Sequence, residues 1–166
     1  MAYKSGCLVC GQKLEYSKDS EKRRCIYCNQ YFNSNVKCIN GHFICDLCHS
    51  LSANDLIENF CINTRLEDPL EIALILMRNP SVNMHGPEHH FLIPAVLLAA
   101  YYNKKKEYNV KSGKIKEARN RSEIILGGFC GSHGDCGAAV GTGIFISLIT
   151  GATPPFLNMS GNLAIL

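Results

Sequence analysis

Beyond residue 50 the apolar side chains recur at helical intervals, and before it they do not. "SANDLIENFCI" places Leu56, Ile57, Phe60 and Cys61 on one face behind a Ser52/Asn54 capping region, which predicts a first helix. "DPLEIALILMRNP" offers Asp68 as N-cap, Pro69 at the first helical position and Asn79-Pro80 as a stop. Its nearly all-round apolarity predicts a buried helix. "GPEHHFLIPAVLLAAYYN" predicts a helix from Pro87, with Pro94 either kinking it or marking its true first turn. "SGKIKEARNRSEIIL" reads as an amphipathic helix, and "DCGAAVGTGIFISLIT" as a last helix closed by Gly151. In that last helix Gly137, Gly141 and Gly143 weaken the isolated element by about 1 kcal/mol each relative to alanine, so a neighbour is expected to pack close against it.

Residues 1–50 are rich in cysteine and polar side chains, with too few large apolar ones for an independent core. Metal is expected to supply the missing stability. The fold class that follows is mainly α, with a small two-zinc, cysteine-rich module over 1–50 preceding a helical domain over 51–166. Neither a fixed-period repeat nor a low-complexity segment stands out.

Composition narrows the class. The chain has 166 residues, 46% hydrophobic and 19% charged, a balance that suits a packed globular protein. Its apolar runs stop short of the ~20 residues a membrane span needs. The N-terminus "MAYKSGCLVC" lacks the apolar stretch of a secretory signal, which points to the cytoplasm. In that reducing compartment ten cysteines, eight of them before residue 62 and mostly in CxxC pairs, mean metal ligation rather than disulfides. The net charge of +3 conceals an asymmetry: eight Lys/Arg against three Glu between Asn103 and Glu123 make that segment +5. The run from Lys104 to Arg121 reads either as a solvated helix face or as a site for a polyanion such as RNA or a phosphorylated cofactor.

The ligand candidates fall in pairs: Cys7/Cys10, Cys25/Cys28, Cys38/His42 and Cys45/Cys48. Eight ligands make two tetrahedral zinc sites with none left over. A sequential pairing would join Cys7, Cys10, Cys25 and Cys28 in one site and crowd the other four ligands into eleven residues. A crossed pairing would give the first and third pairs one ion and the second and fourth pairs the other. Chain reach favours the crossed arrangement, because His42 and Cys45 then point at different ions. Such sites are structural, since four protein ligands leave no open position for substrate. His49 is an alternative to His42, and Cys61 reads as a buried thiol.

A second cysteine and histidine group follows. "GGFCGSHGDCGAAVGTG" sets Cys130 and Cys136 around His133 in a glycine-dense loop opening into the last helix, where the positive end of the helix dipole favours thiolate. "MHGPEHH" places His85 before the middle helix and Glu88, His89 and His90 at its start. If the two stretches converge, Cys130 and Cys136 with the imidazoles form a Cys/His site for a third metal or for thiol chemistry, with Glu88 orienting a histidine or acting as a base. Alternatives are a Cys130–Cys136 disulfide, or an iron–sulfur cluster with Cys61 as third thiolate. The competing structural reading makes the histidines helix caps and the glycine loop a packing device.

Two resemblances rest on these stretches. "CINGHFICDLC" resembles the centre of RING-type cross-brace domains, although the order of flanking pairs differs. "MHGPEHHFLIPAVLLAAYYN" and "GFCGSHGDCGAAVGTGIFISLITGATP", with the N-terminal cysteine segments, resemble the family called domain of unknown function 5714, found in anaerobic archaea and bacteria. The resemblance implies a place in anaerobic sulfur, redox or one-carbon cofactor metabolism, beside methyltransferase-like or radical-SAM-like proteins. It also implies a further cysteine-containing tail after the TP motif, which "NMSGNLAIL" does not supply. Two function classes follow: an enzyme or enzyme subunit working at the second Cys/His group, and a non-catalytic zinc-stabilised module that binds a protein or nucleic acid.

Overall fold

A computed structural model describes residues 6–49, 51–84, 86–125, 127, 128, 134 and 136–152. Among these, two strands, β1 (Leu14–Arg24) and β2 (Tyr31–Cys38), precede six helices: α1 (Asp46–His49), α2 (Ala53–Asn63), α3 (Pro69–Met77), α4 (His89–Lys105), α5 (Tyr108–Glu123) and α6 (Gly137–Thr150).

The strands pair antiparallel from Leu14 opposite Cys38 to Arg24 opposite Tyr31, with the register broken between Tyr16 and Glu21. The mainly α expectation holds in part: the chain is close to half helical, and this ribbon adds a small sheet. Periodicity could not reveal β1, because every residue from Leu14 to Arg24 except Arg23 is exposed. The ribbon is instead clamped at its ends: the Cys25–Gln30 turn closes one, and Cys38 lies in the other.

The predicted caps form. Ser52 Oγ accepts from the Asp55 amide at 3.3 Å, and Asp68 Oδ1 from the Leu70 amide at 2.8 Å. Gly151 ends α6 in the left-handed conformation, φ 70°. Helix α3 departs from its expectation of full burial: Ile72, Ile75 and Leu76 face the core, while Leu70, Leu74 and Met77 are 64%, 43% and 38% exposed. No helix among the described residues is long and apolar enough to cross a membrane.

Helix α4 is the central element, packed by α2, α3, α5 and α6 around Phe91, Leu92, Ala95, Leu98 and Ala99. The close neighbour expected for α6 is α4. A β-carbon on Gly137 would stand 2.6 Å from His90 Cδ2, and one on Gly141 would stand 2.8 Å from Pro94 Cδ and 3.2 Å from the His90 carbonyl oxygen. Pro94 lies inside α4 and has no N–H to give that carbonyl, so the α6 backbone comes up where the ladder is already open. Gly143 departs from the expectation, with open space around it.

The cysteine-rich part is joined to the helices by specific contacts. Tyr27, fully buried, meets Phe60 edge-on at 5.6 Å, and its hydroxyl accepts from Asn79 Nδ2 at 3.3 Å. Arg78 donates to the Val9 carbonyl at 3.0 Å, and Asn29 to the Asn63 carbonyl at 2.6 Å. Val9, Tyr27 and several of the cysteines thus belong to one apolar cluster with α2, α3 and α4.

Candidate metal centres and a histidine–cysteine junction

The two CxxC turns at Cys7 and Cys25 are built the same way. Cys7 N–H donates to the Gln12 carbonyl and Gly11 N–H to the Cys7 carbonyl; Cys25 and Asn29 repeat both bonds with Gln30 and Cys25. The turn needs a left-handed residue after its second cysteine, and Gly11 (φ 74°) and Asn29 (φ 62°) supply it. The twin hexapeptides "CLVCGQ" and "CIYCNQ" carried this signal in the sequence.

The turns bring the side chains together in crossed fashion: Cys7, Cys10, Cys38 and His42 form one group, and Cys25, Cys28, Cys45 and Cys48 the other, each with its ligand atoms within 4.8 Å of one another. Individual separations fit one small tetrahedral ion. Cys10 and Cys38 sulfurs are 3.4 Å apart, Cys28 and Cys45 sulfurs 3.9 Å, and His42 Nδ1 is 3.3 and 3.7 Å from the Cys10 and Cys7 sulfurs. Bonds of ~2.3 Å at tetrahedral angles set sulfurs about 3.8 Å apart. Backbone amides add support: Val9 N–H points at Cys7 Sγ (3.4 Å), Asn40 N–H at Cys38 Sγ (3.3 Å) and Cys45 N–H at Cys25 Sγ (3.4 Å).

The thiols are polarised against each other. Burial raises Cys10, but the Gln12 amide with Cys38, His42 and Cys7 outweighs it and brings the thiol down to about 6. Burial pushes Cys7 up to about 11. In the second group burial raises Cys25 too, yet the amides of Cys28, Cys45 and Tyr27 lower it overall, while burial and the Cys25 charge drive Cys48 far up. A divalent cation relieves such a conflict, because ligation takes the proton from each thiol.

The second Cys/His group is only partly within view. His85, Cys130 and His133 lie outside the described residues, so the disulfide and the complete cluster do too. His90 is 6% exposed with its imidazole against Gly137, the residue after Cys136. Its Nδ1 is buried without a partner. Cys136 is exposed and sits at the N-cap of α6, one position before its first turn, making no side-chain cap bond. The remaining residues turn elsewhere: His89 Nε2 meets the Asn83 carbonyl at 2.8 Å, and Glu88, nearly buried, accepts from the Asn83 amide at 2.8 Å while folded back over Gly86. Both serve the loop before α4. Cys61 is fully buried in α2, and burial drives its thiol far up against the opposing charge of Lys111.

Half of the basic run is used internally, while Lys104, Lys105, Lys106 and Lys116 are exposed. Arg119 bonds Asp55 (2.8 Å), Glu58 (2.9 Å) and Glu123 (2.8 Å), tying α5 to α2, and Arg121 and Lys114 share Glu117. Lys111 is not on a solvated face at all: it is 1% exposed, donating to the Thr64 carbonyl and Asn103 Oδ1 at 2.8 Å each. Burial, with Arg65 nearby, lowers it to about 8. Nothing in the spacing distinguished this lysine from its neighbours.

Fold and ligand sets together define a protein with two cross-braced sites able to hold metal ions, seated on a helical bundle. The sequence model of the family of unknown function DUF5714 matches residues 57–162, and the chain belongs to that family. The match takes in α3 to α6 and leaves out the eight ligands. Neither the curated proteins nor the solved structures yield a match.

Proposed function

We propose that both metal groups hold structural zinc, and that the protein's own chemistry is done where α4 meets α6, by Cys136 with His90. Zinc fits the soft, nitrogen-and-sulfur donor sets, and four protein ligands per ion leave no position for substrate. The observation that carries the second half is the contact of the His90 ring with Gly137, beside an exposed thiol. On this reading the chain is an enzyme or enzyme subunit using a thiol or a third metal in sulfur, redox or one-carbon cofactor chemistry, with a methyltransferase or radical-SAM protein as partner. Cys130, His133 and His85, outside the described residues, are the further candidates that the sequence supplies.

The competing reading, a zinc-stabilised docking module, draws on the exposed side of α3. Leu70 and Leu74, with Ile26, Phe43 and Ile75, line a cleft of about 860 Å³ between the metal turns and the helices. Polyanion binding at Lys104 to Arg121 would rest on the exposed Lys104, Lys105, Lys106 and Lys116, since the other four cations have internal partners. Anaerobic purification followed by elemental analysis and thiol alkylation separates the readings. A third metal, or a Cys136 whose alkylation outpaces that of an ordinary exposed thiol, favours the enzyme. Two zincs and an ordinary Cys136 favour the module.

A further inference from the structure

We infer that one face of the ribbon and the cleft beside it bind a single strand of nucleic acid, with phosphates on the ribbon and bases in the cleft. The inference rests on the docking reading of that cleft and names its partner. Residues opposed across an antiparallel pair share a face, as do alternate residues of one strand. Lys22 and Arg24 therefore stand on one side of the ribbon with Asn33 and Tyr31, the residues opposite them. All four are exposed, Tyr31 to 60%. Lys22 Nζ lies 5.7 Å from the centre of the Tyr31 ring, so a cation and an aromatic surface are presented together.

Arg24 carries this face into the cleft, which it lines with Arg65 and Arg78. Among the described residues Lys22, Arg24, Arg65 and Arg78 have no carboxylate partner, although Arg23, Lys37, Lys114, Arg119 and Arg121 each have one. Arg65 is held over the Tyr108 ring at 3.7 Å, and its guanidinium offers a fork of donors matched to phosphate. The two carboxylates of the cleft, Asp68 and Glu71, both belong to the start of α3, whose dipole favours them, and Asp68 is already held by the Leu70 amide. The apolar lining, Phe43 with Leu70 and Leu74, suits base rings, and about 860 Å³ is room for unpaired bases. Bases in a duplex are stacked on one another and cannot enter it. An apolar protein segment accounts for the exposed leucines; a strand accounts also for the exposed ring and the unpaired cations.

The test uses the full zinc-loaded chain and a fluorescein-labelled oligouridylate of roughly 12 nucleotides, within the usual site sizes of single-strand binders. Anisotropy is read at several salt concentrations. Saturable binding is expected, with log K falling against log salt at a slope of about −2, ~0.7 for each of three phosphates. An unlabelled duplex of equal length, and uridine monophosphate, should each compete at least about tenfold more weakly than the unlabelled strand. Lys22→Gln, Arg24→Gln and Arg65→Gln should each reduce the slope by ~0.7. Tyr31→Ala should weaken binding about tenfold at unchanged slope, the loss of one stacked base. All four positions are exposed, so the melting temperature should not move. Replacing Lys104, Lys105 and Lys106 together by glutamine should leave binding as it was. The inference is overturned if saturation is not reached by about 100 μM strand at low salt, the weak end of non-specific binding, and the cleft then returns to a protein segment. It is overturned equally by a duplex that binds as well as the strand, or by a loss confined to the triple lysine variant. None of these results touches the docking or the enzyme reading, which the third metal and the reactivity of Cys136 decide.

Discussion

Gly137 lies directly under the imidazole of His90, closer than any side-chain-bearing residue could approach. The α4–α6 contact is thus set by the absence of an atom, and substitutions at the start and in the middle of the same helix should have opposite effects. Gly137→Ala forces the ring or α6 to move and should cost about 1 to 3 kcal/mol, as overpacking does. Gly143→Ala enters open space and should gain up to about 1 kcal/mol from helix propensity. Urea midpoints at equal slope decide the matter. Two substitutions of the same sign would mean that the approach is looser than described.

Crossed ligation is countable. Cys7→Ser with Cys38→Ser disables one group, so about one metal ion per chain should remain, whereas Cys7→Ser with Cys25→Ser disables both and should leave none. A sequential arrangement predicts the reverse. Metal stoichiometry after gel filtration distinguishes the two.

Metal removal should reach beyond the cysteine-rich part. Because Tyr27 meets Phe60 edge-on and bonds Asn79, freeing the Cys25 turn withdraws a buried aromatic from α2 and from the turn after α3. Cys25→Ser, or a strong chelator, should lower the melting temperature of the helical signal and restore exchange at the amides of α2. A helical transition unchanged by chelation would show two independent units instead.

Lys111 gives a pH dependence of known sign. Its folded value near 8 lies below its ordinary 10.5, so between those limits the unfolded chain binds more protons and stability rises with pH; the gain is lost as pH falls through 8. Cys61 works the other way above its ordinary 9.0, since its thiol is raised in the fold. The clean window is therefore pH 8 to 9. There the native chain should gain stability with pH relative to Lys111→Met, and parallel curves would place the ammonium in contact with water.

What the sequence disclosed depended on how local the signal was. CxxC spacing, the Asp68-Pro69 start and the Gly151 stop are statements about neighbours along the chain, and each element lies where they put it. The ribbon escaped notice because β1 buries almost nothing and so leaves no alternation to read. Helix α3 looked uniformly apolar, yet which of its leucines face water depends on a cleft formed by distant turns. Lys111 was indistinguishable from Lys114 until Thr64 and Asn103 were brought beside it. At the second Cys/His group the sequence set His90 and Cys136 at two helix starts, whereas the seating of His90 on Gly137 and the diversion of His89 and Glu88 to Asn83 are products of packing that no spacing specified.

The interleaving of the two ligand sets also dictates an order of events on the ribosome. Cys7, Cys10, Cys25 and Cys28 emerge before Cys38 and His42, so the first complete tetrathiolate cage a nascent chain can close is the wrong one. An ion captured there would have to be handed over when the later ligands arrive. Ligand exchange would then belong to the maturation of this protein, and its yield in a cell would respond to how much free metal is present while translation is under way.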